Sequence, residues 1–394
     1  MGNVKRLKQF FLGLVALMVC AVIAFLAFAP GYVERSRNTV ATSDLPSPST
    51  QAQALHATLT IGDWHADPLL WQRDLTTRSD REHVDIPRLI EGNVALQVFT
   101  AVTKSPAGQN IHSNSSDTFD NITPLAMGQL WPPRTWASLV ERAIYQAEKL
   151  QRFEDRSSGQ LQIITSTAEL DQLLAARAAG TQVVGGLLGI EGAHALEGDL
   201  TNLQHLQDAG HRLIGLHHFF DNELGGSLHG VNNHGLTDFG RAVVQQVVER
   251  NLILDLAHSS PQVVQDVLDM TDIPLVISHT GLFGACASAR NLPDDLMIKI
   301  AQSGGVIGIG FWRTAVCDNS PAGIARTIKA SVDLLGEDHV SIGSDFDGSV
   351  GTTFDSSQMV VLTDALLDAG LTENQIRKVM GENMIRVVRA RLGD

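Results

Sequence analysis

Eight short apolar runs, separated by stretches with helical character, limit what this chain can fold into more than any other feature. The runs are Ala57–Asp63, Val94–Thr100, Val183–Ile190, Arg212–His217, Leu252–Ala257, Leu275–Ser278, Val306–Phe311 and Val340–Ser344. Short runs that are largely apolar, with helices between them, mark repeated βα units around a parallel sheet buried on both faces. One helix is signalled by a capping box, Ser166 to Glu169, with Gly180 at its C-cap. Another is expected from about Asp238 to Arg250, where Val243, Val244, Val247 and Val248 form one apolar face. Residues 101–182 read as a long, partly helical insertion after the second strand, placed to shape a substrate rim. Eight units predict a closed (β/α)8 barrel of the TIM type, and a doubly wound open sheet is the alternative.

The unusual polar residues favour the barrel, because they fall at the carboxyl ends of six of the runs, where a barrel gathers its active site. The first run leads into Asp63-Trp64-His65-Ala66-Asp67-Pro68. Regular alternation would turn positions 63, 65 and 67 to one side, about 6.6 Å apart, so that His65 and Asp67 can hold one cation. Glu191 directly follows the third run in Gly189-Ile190-Glu191-Gly192, and a buried carboxylate there needs a positive partner. His258 and His279 close the fifth and sixth runs, and neutral imidazoles at such places suit zinc. Asp345 follows the eighth run and is placed for proton transfer, whereas Asp347 reads as support for the next turn. Singly, each of these has an ordinary structural explanation. Together, oxygen and imidazole donors without thiolates point to a catalytic pair of metal ions roughly 3.5–4 Å apart that share an activated water.

Ahead of the barrel, Lys5, Arg6 and Lys8 precede an apolar run from Phe10 to Ala29. About 20 such residues cross a bilayer as a helix. A signal-peptidase site at Ala27-Phe28-Ala29 would be followed unfavourably by Pro30, and Cys20 lacks the small residues of a lipoprotein signal. Residues 1–30 are therefore expected to be an uncleaved anchor, with the N-terminus cytoplasmic and the body extracytoplasmic. The Ser, Thr, Pro and Gln of the following stretch read as a flexible tether over 31–56, leaving 57–394 as the catalytic barrel. A net charge of −14 and the lack of a Lys/Arg cluster in the body exclude a nucleic-acid surface. Cys286 and Cys317 form no metal-binding CxxC, and their spacing leaves a disulfide between them open.

With these residues in place, the chain from about Ile61 onward resembles the membrane dipeptidase (renal dipeptidase) family of zinc metallopeptidases. The resemblance rests on Asp63–Asp67, Gly189–Gly192, Leu216–His218, Asp255–His258, Ser278–His279, Arg290–Asp295, Gly343–Gly348 and the closing Gly381–Val387. It implies two Zn2+ ions, with His65 and Asp67 on one, His258 and His279 on the other, and Glu191 and a water or hydroxide bridging them. It implies that His218, with His217 as the alternative, contacts the substrate carbonyl and that Arg290 grips the free carboxylate of a dipeptide. Asp345 would be the acid/base that also holds the substrate amino group. Dipeptides, including those with a C-terminal D-residue, are the expected substrates, and a homodimer is the expected assembly. Another small amide or a lactone is the second substrate class, and a non-catalytic tethered binding protein is the third reading. Trp64 departs from the family, which carries a small residue there, and its side chain is expected to point away from the ligands.

Overall fold

A computed structural model of the chain describes residues 2–41 and 45–393. Eight parallel strands close into a barrel: β1 Ile61–Ala66, β2 Val94–Val102, β3 Val184–Glu191, β4 His211–Gly215, β5 Ile253–Asp255, β6 Val276–Thr280, β7 Val306–Ile309 and β8 Val340–Ile342. Each pairs with the next, and Ile342 opposite Asp63 joins β8 back to β1. The open-sheet alternative is thereby excluded.

Local chemistry starts the surrounding helices where the sequence signals them. The Ser166–Glu169 capping box forms and opens helix Thr167–Ala178. Thr237 caps Asp238–Glu249, and Ser260 and Ser320 cap helices that begin with Pro261 and Pro321. The insertion after β2 holds helices Ile122–Gly128 and Leu139–Arg156, a short strand Leu161–Ile163 beside β3, and the capped helix.

The first strand departs from expectation twice. It begins at Ile61, because Thr50–His56 is a helix capped by Ser49 and the chain must first turn through Ala57–Thr60. It also carries a bulge: Asp63 lies opposite Gln97 and Ala66 opposite Phe99, so three steps on β1 match two on β2. The extra residue breaks the alternation assumed for 63, 65 and 67. Asp63 turns toward Gln97, while Trp64 and His65 both serve the interior. Trp64 is fully buried in one apolar cluster with Leu96, Val98, Leu187, Leu213, Ile253, Val276 and Val306. It forms the floor of the barrel beneath the candidate metal ligands.

The N-terminal helix runs from Gly2 to Arg37, through Pro30. It is long and apolar enough to cross a membrane, a property that membrane anchors and signal sequences share. The stretch after it differs from the expected tether. Glu34 is buried and meets Arg73, with Oε1 2.7 Å from Nε. Thr39–Val40 pairs in parallel with Gly351–Thr352, and Asn38 Oδ1 accepts the Ser349 N–H at 2.8 Å. Polar composition misled here because a few buried contacts, together with Ala52 and Leu55 in the core, suffice to fasten the segment. The part of the tether at 42–44 lies outside the described residues.

Candidate metal centre

All eight candidate residues meet at the carboxyl end of the barrel. His65 lies on β1, and Asp67 opens the turn Pro68–Leu70. Glu191 is the last residue of β3, and His279 lies on β6. His218, His258 and Asp345 follow β4, β5 and β8, and Arg290 occupies the loop before helix Asp294–Gln302. His258 and Asp345 hold positive φ angles of 62° and 61°. Such backbone is disfavoured for side-chain-bearing residues, and here it accompanies two groups aimed into the cluster.

Glu191 is the hub. Its Oε1 lies 3.1 Å from His258 Nε2, 3.4 Å from His279 Nε2 and 3.5 Å from His65 Nε2. Its Oε2 lies 3.2 Å from His218 Nε2. His65 Nε2 is also 3.4 Å from Asp67 Oδ2 and 3.9 Å from Asp345 Oδ1. Three overlapping groups have donor atoms close enough for a cation: His65–Glu191–His279, Glu191–His218–His258 and His65–Asp67–Asp345. Of the neighbouring pair, His218 is the one that reaches Glu191, whereas His217 Nδ1 faces Ser259 Oγ at 3.0 Å.

Electrostatics test whether metal fits. Burial raises the Glu191 carboxyl well above its usual range, with Asp67 adding to the effect. Burial likewise pushes Asp345 up to about 8, against the pull of His65. Burial alone would lower His65, but Asp67, Glu191 and Asp345 outweigh it and raise the imidazole to about 10. His258 and His279 are held well below their ordinary value by burial, so they stay neutral with lone pairs available. Their Nε2 atoms face each other at 2.9 Å. Without metal, the three buried carboxylates Asp67, Glu191 and Asp345 draw a proton onto His65, while His258 and His279 stay neutral; divalent cations on this thiolate-free donor set would supply the positive charge instead. The residues fit metal.

A supporting layer holds the donors, and the sequence reading assigned it no roles. Asp255 accepts the N–H groups of Ala257 at 3.0 Å and Ser278 at 2.9 Å, fixing the chain ahead of His258 and His279. Asp63 accepts from Ser344 N at 2.8 Å and Ser344 Oγ at 2.6 Å, tying β1 to the turn before Asp345. Thr100 contacts Asp67, and Ser278 Oγ lies 2.9 Å from His279 Nδ1. His229 is buried beside His258, with ring centroids 5.2 Å apart, and its Nε2 lacks a partner. The available signal for the acids was a carboxylate within an apolar run; His229 gave none.

Asp347 acts on a distant loop, a correction to its expected turn-supporting role. It accepts from His83 N at 2.8 Å and Val84 N at 3.2 Å and pairs with Arg73. Arg290 is buried, its Nη2 donating to the His279 carbonyl at 3.0 Å and its guanidinium 5.3 Å from the Trp312 ring centroid. Among the described residues it has no carboxylate ion pair. Its loop is pinned by Asn291, which bonds Gly281 N, Cys286 O and Ala315 O at 2.8–2.9 Å. The Cys286–Cys317 disulfide, left open by the sequence, closes it.

Comparison with known proteins gives the family of the chain. The sequence profile described as membrane dipeptidase (peptidase family M19) matches residues 49–392. The dipeptidase tcpJ of Claviceps purpurea is 26% identical over 323 residues, covering 78% of this chain and 69% of that protein. The crystal structure of dipeptidase AC, a metallopeptidase of family M19, matches with TM-score 0.69 and 26% identity over 86% of this chain and 100% of that one. A metallopeptidase from Rhodobacter sphaeroides, solved with a phosphinate mimic of the dipeptide L-Ala-D-Ala, matches with TM-score 0.68 and 25% identity, covering 85% of this chain and 99% of that one. This chain belongs to the membrane dipeptidase family of metallopeptidases, and it is a hydrolase.

Proposed function

We propose that the protein hydrolyses dipeptides with two zinc ions, one held by His65 and Asp67, the other by His258 and His279, with Glu191 shared between them. The observation that carries the dipeptide reading is Arg290, a buried guanidinium with no carboxylate partner among the described residues. A free C-terminal carboxylate is the anion such a planar fork takes in two-point fashion, and it must lie next to the bond being cut. Internal bonds of longer chains offer no such group.

When bound, the ions polarise the scissile carbonyl and make a water molecule nucleophilic near neutral pH. Asp345 takes the proton released as water adds to the carbonyl carbon. It returns that proton to the leaving amine as the C–N bond breaks. Burial of Asp345 disfavours its free carboxylate, which suits a group that must hold a proton between the two steps. His218 would face the carbonyl oxygen as negative charge grows there, a role that requires a proton on its Nε2. A second reading makes His218 a metal ligand. It is favoured by the Nδ1 contact with the Lys104 carbonyl at 3.3 Å, which leaves a lone pair on Nε2.

The ligand in the Rhodobacter sphaeroides structure supports a substrate range that includes C-terminal D-residues. The apolar helix reads as an uncleaved anchor with the barrel outside the cytoplasm, a reading supported by the disulfide, since such bonds persist in oxidising compartments. The test is hydrolysis of L-L and L-D dipeptides with zinc, with a chelator, and by Asp345→Asn. Zinc-dependent cleavage abolished in the variant is expected. A folded, zinc-loaded protein that leaves every dipeptide intact would sink the proposal and favour small cyclic amides or lactones.

A further inference from the structure

The helix that reads as an anchor does not leave the barrel on a spacer. Leu26 and Ala29, in the last turn of the apolar run, are already half-buried, and Pro30 is buried. The cover comes from helix Ile122–Gly128 of the insertion, which packs against the N-terminal helix. At Gly128 a Cβ would lie 3.6 Å from Pro30 Cγ. The insertion therefore stands level with the end of the apolar run, where a bilayer would give way to headgroups.

In and around this helix the insertion exposes large apolar side chains: Met127 is 40% exposed, Leu130 67% and Trp136 37%, with Phe119, three residues ahead of the helix, at 66%. The turn Pro133–Trp136 packs on the same helix. Tyr32 and Phe28 on the N-terminal helix are also exposed. An apolar group beside an apolar span, with tryptophan and tyrosine among it, has the composition of a membrane interface. Beyond it, the stem is fastened by Glu34 to Arg73 and by Thr39–Val40 to Gly351–Thr352. Both fastenings lie on loops at the carboxyl end of the barrel.

We propose that the segment Phe119–Trp136 is a lipid-seating surface, and that it holds the mouth of the barrel toward the bilayer. The proposal rests on the anchor reading, and the occupant it commits to is the headgroup and upper acyl region of a phospholipid bilayer. Docking continuous with the anchor helix distinguishes it from a protein-binding patch, because the span and the patch meet at Pro30 and Gly128 without a gap.

Tryptophan placement supplies the test. The N-terminal helix contains no tryptophan, and Trp64, Trp71, Trp131 and Trp312 are buried, leaving Trp136 exposed. Full-length protein is reconstituted into phosphatidylcholine vesicles with or without bromine on the upper acyl chain, and insertion is established by flotation. Bromine should quench the protein's fluorescence, and Trp136→Phe should lose most of that quenching while still floating. Leu130→Glu, with Trp136 retained, should weaken the quenching. Floating protein with no bromine-dependent quenching, or quenching unchanged in Trp136→Phe, overturns the seat and leaves the anchor standing. Protein that does not float overturns the anchor reading and the seat together.

Discussion

Replacing Arg290 by Ala and removing the substrate carboxylate should be two ways of deleting one interaction. The guanidinium is buried against Trp312 and His279, without a carboxylate partner among the described residues. Each hydrogen bond between charged groups contributes about 1.5–3 kcal/mol, and stranding one member of a buried pair costs about 3–5 kcal/mol. Arg290→Ala should therefore lower kcat/KM for a dipeptide by roughly 10²–10³-fold or somewhat more. The dipeptide amide, which lacks the carboxylate, should be cleaved slowly by the wild type and hardly more slowly by the variant. Combined in a cycle, the two changes should show a coupling of at least about 2 kcal/mol. Arg290→Lys should recover only part of the loss, because a point charge does not reproduce the fork. Steady-state kinetics on the four combinations, with metal content measured in parallel, decide the matter. Equal losses for acid and amide substrates would refute the carboxylate assignment, and a fall in bound metal would show that Arg290 acts on the ligands instead.

His218→Ala separates the two roles open to that residue: retained metal with kcat reduced about 10²–10³-fold supports a contact to the developing oxyanion, whereas lost metal makes His218 a ligand. Burial alone would raise the Asp347 carboxyl, but Arg73 and His83 overcome this and hold it at about 2. A depressed carboxyl stabilises the fold above its unfolded pKa, and that stability is lost as pH falls through the folded value. The stability gap between wild type and Asp347→Asn, measured by urea unfolding, should thus shrink by about 2 kcal/mol as pH drops from near 4 to near 2; a constant gap counts against the pairing. Trp64→Ala should cost about 3–5 kcal/mol through the cavity it leaves, seen as a Tm lower by roughly 4–7 °C in calorimetry. A Tm within a degree or two of wild type would show that the floor collapses to fill the space.

The barrel and its chemistry were legible for the same reason. Strands buried on both faces must be apolar, so Glu191, His258, His279 and Asp345 stand out at their ends against that background. Everything that failed to stand out depends on partners far along the chain. Asp347 looked like a turn residue because Arg73 and His83 are brought to it only by folding. The stem around Glu34 looked like a tether because its composition is polar, although one buried ion pair and a two-residue strand hold it. The bulge in β1 was invisible because alternation is a rule about regular strands, and one extra residue suspends it. Asp255 could have been suspected, since a carboxylate inside an apolar run three residues before a candidate ligand needs a reason to be there.

The bulge also changes how the barrel is mechanically connected. Elsewhere the apolar floor and the metal donors are separate tiers that communicate through packed side chains. In β1, Trp64 and His65 are neighbours along the backbone, so a single peptide bond joins the bulkiest piece of the floor to a candidate ligand. There is little slack on the preceding side, where a Cβ on Gly62 would come within 2.6 Å of Met384 Sδ. A change of volume at position 64 is therefore passed to the imidazole as a shift of its own main chain, and the size of that one aromatic ring becomes a setting of where the His65 ring sits.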